Sequence, residues 1–367
     1  MKLTTTRDDL FAQLQTVTRA ASTRSAIQAL SGVQVAARSG AVELRATDME
    51  IGLRVPLPAT VEREGAVVLP ARLLVDVVRA LPAKEVSLEL RPAEQDVELK
   101  AGQATFHIRT LRLEDFPPFP EVEAGERVEV PAKAFIETVA RVARSASRDE
   151  TRPVLTGILV SASGDELRMV ATDSYRLAVK ETKLEAPLAG ELEANVPARA
   201  LQELARIAAD AERLGVAVRT NQVIFDVDGI VLSSRLIDGQ FPNYRQLLPE
   251  SYEHELRLAG GEVTDVVRRI SLLAQKNAPL RLAFQEGELT VSARTPDIGE
   301  ASETIPVPFS GEPMEIGFNP DFLRDGLESV DGGDVLLKLI SALRPGLISA
   351  ADGSGFLYLL MPIRLNV

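Results

Sequence analysis

The chain has 367 residues, 45% hydrophobic and 26% charged, with a net charge of −12, which excludes wholesale disorder and a surface that embraces nucleic acid all round. That length exceeds what one core serves, so two or three domains are expected. Zero cysteines exclude disulfides, thiolate metal sites and a cysteine nucleophile, and a total of two histidines excludes a histidine-rich metal site.

The chain opens with a short strand at Leu3 and a helix over 8–20, in which Leu10, Leu14 and Val17 fall at helical spacing and Asp8 is placed to cap the N-terminus. Asp8 and Asp9 stand where a signal peptide needs an apolar run, so no export is expected and the location is read as cytoplasmic. The longest apolar stretch, 356–363, is too short to span a bilayer. Alternating segments follow at 32–37, 42–46 and 52–55, then a second helix over 71–81 and strands at 86–90, 97–100 and 104–110. His107 alternates with Phe106 and Ile108 and reads as a strand residue; His254, between Glu253 and Glu255, reads as a linker residue. Helices over 131–144, 198–206, 262–275 and 321–330 continue the pattern, so the unit βαβββ is predicted six times.

Three landmarks share one period. Ala46-Thr47-Asp48 returns as Ala171-Thr172-Asp173, 125 residues on, and in worn form as Arg294-Thr295-Pro296-Asp297. Pro70-Ala71-Arg72 returns as Pro197-Ala198-Arg199, 127 residues on, and degraded as Asn319-Pro320-Asp321. Phe116-Pro117 returns as Phe241-Pro242, 125 residues on, with Met361-Pro362 in the third place. Agreement on a period near one third of the chain predicts a triplicated domain, with boundaries at 1–121, 122–250 and 251–367 and joints in the proline-rich passages 116–120 and 241–249. Short strands joined by tight turns predict an α+β fold of antiparallel sheets with helices covering one face.

The charge is unevenly spread: the six helical windows carry a net +3, so the remainder carries about −15. Arg24, Arg72, Arg79, Arg141, Arg144 and Arg148, with Arg199, Arg206, Arg268, Arg269 and Lys276, lie in or just beyond those helices. They form either a solvated helix face or the basic face of an acidic protein. Nucleic-acid contact through them would go to phosphate, independent of sequence and weakened by salt, because no stacking aromatics interleave. Asp48 and Asp173 are repeat equivalents, expected about a domain apart, and turn capping accounts for them more simply than paired acid chemistry. Gly260-Gly261 and Gly332-Gly333 read as turns, and no catalytic constellation is expected.

Ala171-Thr172-Asp173 with Arg176-Leu177-Ala178, Asp238-Gly239 with Phe241-Pro242-Asn243-Tyr244-Arg245, Met314-Glu315-Ile316-Gly317-Phe318-Asn319 and Met361-Pro362-Ile363-Arg364-Leu365 fall in order along the chain. In these residues, and in length and triplication, the sequence resembles the bacterial sliding clamp family, the beta subunits of DNA polymerase III. The resemblance implies three clamp domains, each of two βαβββ units, in a head-to-tail homodimer whose sheets lie outside and whose helices line a ring. It implies a ring that encircles double-stranded DNA and tethers the replicative polymerase, with no chemistry, no cofactor and no metal. Arg24, Arg148 and Arg152 match the family's DNA-facing places.

A docking pocket for the polymerase III alpha subunit, the clamp loader and other proteins carrying a clamp-binding peptide is also implied. Its lining would be Arg152, Leu155, Thr172, Ser174, Tyr175, Arg176 and Leu177; Pro242, Gln246 and Leu247; Asn319, Phe322, Leu343 and Pro345; and Leu359, Leu360, Met361, Pro362, Ile363 and Arg364. Ser174-Tyr175 stands where Gly-His is common in the family, and Gln246 where Arg is common. Apolar anchors rimmed by Arg and amide groups suit a short peptide carrying Gln and Leu or Phe. At the dimer interface, Phe106 and Ile108 would pack against Leu272 and Leu273, flanked by Asp297, Glu300 and Glu303. The alternative function is a paralogous spare clamp or scaffold of the same fold, for instance one conferring resistance to a clamp inhibitor.

Overall fold

The computed structural model describes residues 1–120, 127–274, 278–296, 298–330 and 333–365. Among them are six α-helices: α1 (Arg7–Val17), α2 (Ala71–Ala80), α3 (Ala132–Val142), α4 (Ala198–Ile207), α5 (Gly260–Ser271) and α6 (Pro320–Glu328). Each follows a strand and precedes three more, as the βαβββ reading requires, and one additional strand, Ala59–Arg63, sits in the first repeat.

Two helix starts differ from expectation. α1 is capped by Thr6, whose Oγ1 accepts from the Asp9 N–H at 3.1 Å and donates to the Asp9 carboxylate at 2.6 Å. Asp8 is instead a first-turn residue, where its charge faces the positive helix end. α5 starts at Gly260, so Gly260-Gly261 opens a helix rather than making a turn. A Cβ on Gly260 would lie 2.2 Å from the Gly333 carbonyl oxygen; glycine is what lets the helix start against that backbone. Gly332 lies outside the described residues.

The chain divides into two compact units, Met1–Lys133 with Glu203–Leu236, and Ala134–Gln202 with Ile237–Val367. The first holds a five-stranded sheet in the order Ala59–Arg63, Lys2–Thr6, Glu85–Arg91, Asp96–Ala101, Ala104–Arg109. It also holds an eight-stranded sheet in which Ile51–Leu57 pairs antiparallel with Ile230–Arg235, Leu53 opposite Leu232. The second unit holds an eight-stranded sheet in the order Leu192–Pro197, Gly157–Ser163, Glu166–Thr172, Arg176–Lys183, Phe356–Leu360, Gly346–Ala350, Asp334–Leu339, His254–Ala259. Its four-stranded sheet runs Gly299–Pro306, Glu288–Thr295, Leu280–Gln285, Met314–Phe318. Each eight-stranded sheet therefore joins half of one repeat to half of the next, and this pairing divides the central repeat between the units.

The cores are aliphatic. α1 buries Leu10, Leu14 and Val17, and α5 buries Val263, Val266, Val267 and Ile270. Aromatics of the proline-rich passages anchor onto them: Phe116 packs with Ala29 and Val68, and Phe119 against Ala217, Ile224 and Val231. Phe241 and Tyr244 pack with Val170, Leu177, Val179, Leu347 and Leu359. No helix among the described residues is long and apolar enough to cross a membrane.

Candidate peptide pocket and basic helix face

The repeated Ala-Thr-Asp motif makes the same turn twice. After Glu166–Thr172, the Thr172 hydroxyl donates to the Arg176 carbonyl at 2.7 Å, and Asp173 Oδ1 accepts the N–H groups of Tyr175 and Arg176 at 2.9 and 3.0 Å. In the first copy, Thr47 donates to the Ile51 carbonyl at 2.8 Å, and Asp48 accepts from Glu50 and Ile51 at 3.0 and 2.9 Å. Both aspartates thus serve turns. Ser174 and Met49 take the same left-handed conformation, φ 79° and 78°, and a residue with a Cβ pays strain there. In the worn third copy, Thr295 donates instead to the Leu273 carbonyl at 2.6 Å.

This turn presents Tyr175, 61% exposed, and folds Arg176 inward, its side chain only 8% exposed. A charge so buried needs partners on every side. Nε donates to Asp173 Oδ2 at 3.0 Å, and Nη1 to Asp325 Oδ2 at 2.6 Å and the Tyr358 hydroxyl at 3.3 Å. Nη2 donates to the Arg144 carbonyl, and the guanidinium lies 4.2 Å from the Phe322 ring centroid. Burial alone would lower the Arg176 pKa; Tyr358, Asp325 and Asp173 outweigh it and raise it above the ordinary value. Burial pushes the Tyr358 phenol up, so it stays neutral and donates to the Phe322 carbonyl at 2.7 Å.

Around this centre the second unit brings several of the predicted pocket residues together. The Met361 N–H donates to the Tyr175 carbonyl at 2.9 Å, tying the chain end to the turn. Arg152 donates to Ser174 Oγ at 3.0 Å and pairs with Asp149 at 3.0 Å. Asn319 caps α6 by accepting the Phe322 N–H at 3.1 Å. Leu177, Leu359 and Leu360 are buried at 4% exposure or less, and Leu155 and Thr172 are buried too, so these five are floor and core rather than open lining. The exposed candidates are Arg152, Ser174, Tyr175, Pro242, Gln246, Leu247, Leu343, Met361 and Arg364. Phe322, Pro345, Pro362 and Ile363 are half-buried.

The predicted basic face is largely tied up by acids. Arg144 reaches Glu328 at 2.7 Å and Asp325 at 3.4 Å, and Arg268 reaches the same Glu328 at 2.9 Å. Arg144, then Arg268, hold the Glu328 carboxyl below its usual range against the opposing effect of burial. Arg269 pairs with Glu303 at 2.6 Å, Arg79 with Asp76 at 3.5 Å, Arg206 with Glu203, and Arg141 and Arg199 also have partners. Arg24, Arg72 and Arg148 are exposed with no ion-pair partner among the described residues. Lys276 and Asp297 lie outside the described residues. Asp325, Glu328 and Tyr358 were not anticipated as site residues; the net −3 of 320–331 was the one signal for the first two.

At the predicted interface, Ile108 is 3% exposed, already buried within its own unit, whereas Phe106 on the same edge strand is half-exposed. Leu272, at the end of α5, is 84% exposed and Leu273 half-buried. Glu303 is occupied by Arg269, and Glu300 is exposed.

Three family models of the DNA polymerase III beta subunit match the chain: the N-terminal domain over 1–120, the central domain over 129–243 and the C-terminal domain over 245–364. The chain belongs to the DNA polymerase III beta subunit family, the sliding clamps. The beta sliding clamp of Synechococcus elongatus is 34% identical over 376 residues, covering 100% of both chains, and that of Streptomyces coelicolor 31% over 379 residues, again 100% of both. The crystal structure of the DNA polymerase sliding clamp of Bacillus subtilis matches with a TM-score of 0.94 at 28% identity over 100% of both chains. The α+β clamp fold is therefore this chain's fold. Like the family, it is a non-catalytic processivity clamp of the DNA polymerase III holoenzyme.

Proposed function

We propose that two copies of this chain close head to tail into a ring of six domains, bounded in each chain at 1–121, 122–250 and 251–367, around duplex DNA in the cytoplasm. The observation that carries the reading is a rule of strand pairing. At each crossing between repeats, the last strand of one repeat's first βαβββ unit pairs with the last strand of the next repeat's second unit: Ile51–Leu57 with Ile230–Arg235, and Arg176–Lys183 with Phe356–Leu360. By the same rule Gly299–Pro306 and Ala104–Arg109 are left over, each at the end of its sheet. Pairing them between two copies satisfies both exposed ladders and gives two equal seams. Phe106 and Leu272 supply the apolar contact there, with Glu300 at the rim.

DNA contact falls to Arg24, Arg72 and Arg148, since their charges are the least spent, and to Arg152, four residues after Arg148, once it releases Asp149. Weak, sequence-independent phosphate contact is what sliding needs. The turn-and-tail surface around Tyr175, Leu247, Leu343 and Met361 receives a short peptide with Gln, Leu or Phe anchors. The polymerase III alpha subunit, the clamp loader and other proteins carrying such a segment would dock there in turn. The test is retention on loaded circular DNA. Protein should stay on the closed circle and leave when the circle is cut; protein that stays on linear DNA with free ends would overturn the reading.

A further inference from the structure

A groove adjoins the chain segment that carries Met361. On the four-stranded sheet of the second unit, Arg281 and Arg294 sit on the face turned away from buried Leu282 and Val291, and with Arg364 they line a groove of about 1060 Å³. One wall is the chain end. The Ile363 N–H donates to the Gly317 carbonyl at 2.7 Å, and a Cβ on Gly317 would lie 2.7 Å from both the Ile363 oxygen and Leu365 Cδ2. Only glycine at 317 lets the tail lie that close, so the wall is built into the sheet.

In a chain of net charge −12, this groove is cationic: three arginines face it against Glu300. Arg281 is partly neutralised by Glu315 at 3.2 Å. Arg294 and Arg364 are exposed and have no ion-pair partner among the described residues. Two discrete guanidinium groups over walls of Ile363 and Leu365 suit carboxylates on a short extended chain. A nucleic acid would want a continuous basic track and aromatic stacking, and no aromatic residue lines the groove.

We propose that the groove binds an acidic segment of the same protein partner whose apolar anchors occupy the pocket, which makes it a selector among competing partners. The inference rests on the pocket reading. Its support is continuity: Met361, tied to the Tyr175 turn, and Arg364, in the groove, are three residues apart, about 10 Å of extended chain. A peptide leaving the pocket needs only a few residues to bring carboxylates to Arg294 and Arg364.

The experiment is fluorescence anisotropy on the full chain with a synthetic core peptide carrying Gln, Leu and Phe, either alone or extended at each end by a run of Asp and Glu or of Ser and Gly. The acidic extension at one end should tighten binding about three- to tenfold at low salt, and the gain should fade at high salt. Arg294→Glu should leave the core peptide's affinity unchanged and abolish the gain. Equal binding of acidic and neutral extensions, or a gain that survives Arg294→Glu, overturns this inference alone. A core peptide that does not bind overturns the pocket reading and this inference with it. A single-stranded oligonucleotide that cancels the acidic gain while the core stays bound would reassign the groove to nucleic acid.

Discussion

Arg176 concentrates what single residues do here, because one buried guanidinium holds the turn, α6 and the strand of Tyr358 together. Removing it would leave the Asp173 carboxylate without its counter-charge and Asp325 with only Arg144, at 3.4 Å. Arg176→Ala should therefore cost about 3–5 kcal/mol in urea unfolding, far above the cost of truncating an exposed arginine such as Arg72. The turn itself was legible, since Thr172 and Asp173 act within four residues and their pattern recurs at Thr47 and Asp48. The network was not: Asp325 and Tyr358 are 149 and 182 residues away from Arg176, and no local pattern announces such partners. Glu328 gives a pH prediction. Its carboxyl lies below the ordinary 4.5 because Arg144 and Arg268 favour the ionised form. A depressed carboxyl stabilises the fold above that ordinary value, and the contribution is lost as pH falls through the depressed one. Melting temperature should fall more steeply in acid for the wild type than for Glu328→Gln; parallel profiles would contradict the pairing.

The elements were easier to place than their ends. Apolar spacing located six helices, but the start of α1 depends on Thr6, a strand residue whose hydroxyl happens to reach the Asp9 N–H, and propensity favoured Asp8 for that task. Thr6→Ala should lower stability by about 1 kcal/mol and Asp8→Ala by less, as thermal melts would show. The start of α5 depends on a distant backbone. Alanine is intrinsically better than glycine inside a helix by about 1 kcal/mol, yet a methyl group on Gly260 meets the Gly333 carbonyl, which cannot swing aside as a flexible side chain would. Gly260→Ala should thus destabilise, while Gly261→Ala, with nothing near its Cβ, should be neutral or stabilising. The reverse order would refute the contact.

For the whole molecule, the period near one third of the chain was readable because each repeat keeps its turn, helix start and Phe-Pro passage at fixed spacing. How the repeats knit was not readable. Pairing of 51–57 with 230–235 spans most of two repeats, and alternation says only that a strand is half-buried, never which strand lies beside it. Those pairings leave two matching edges, and closure of those edges is the central claim. Phe106→Asp, at a half-exposed edge position, should keep the fold and weaken the dimer. The most direct measurement is solution mass by light scattering across a dilution series. The ring predicts 79.4 kDa, twice the 39.7 kDa chain, persisting at low concentration for the wild type and falling toward the single-chain mass for Phe106→Asp. A wild-type mass of 39.7 kDa at every concentration would contradict the closed ring.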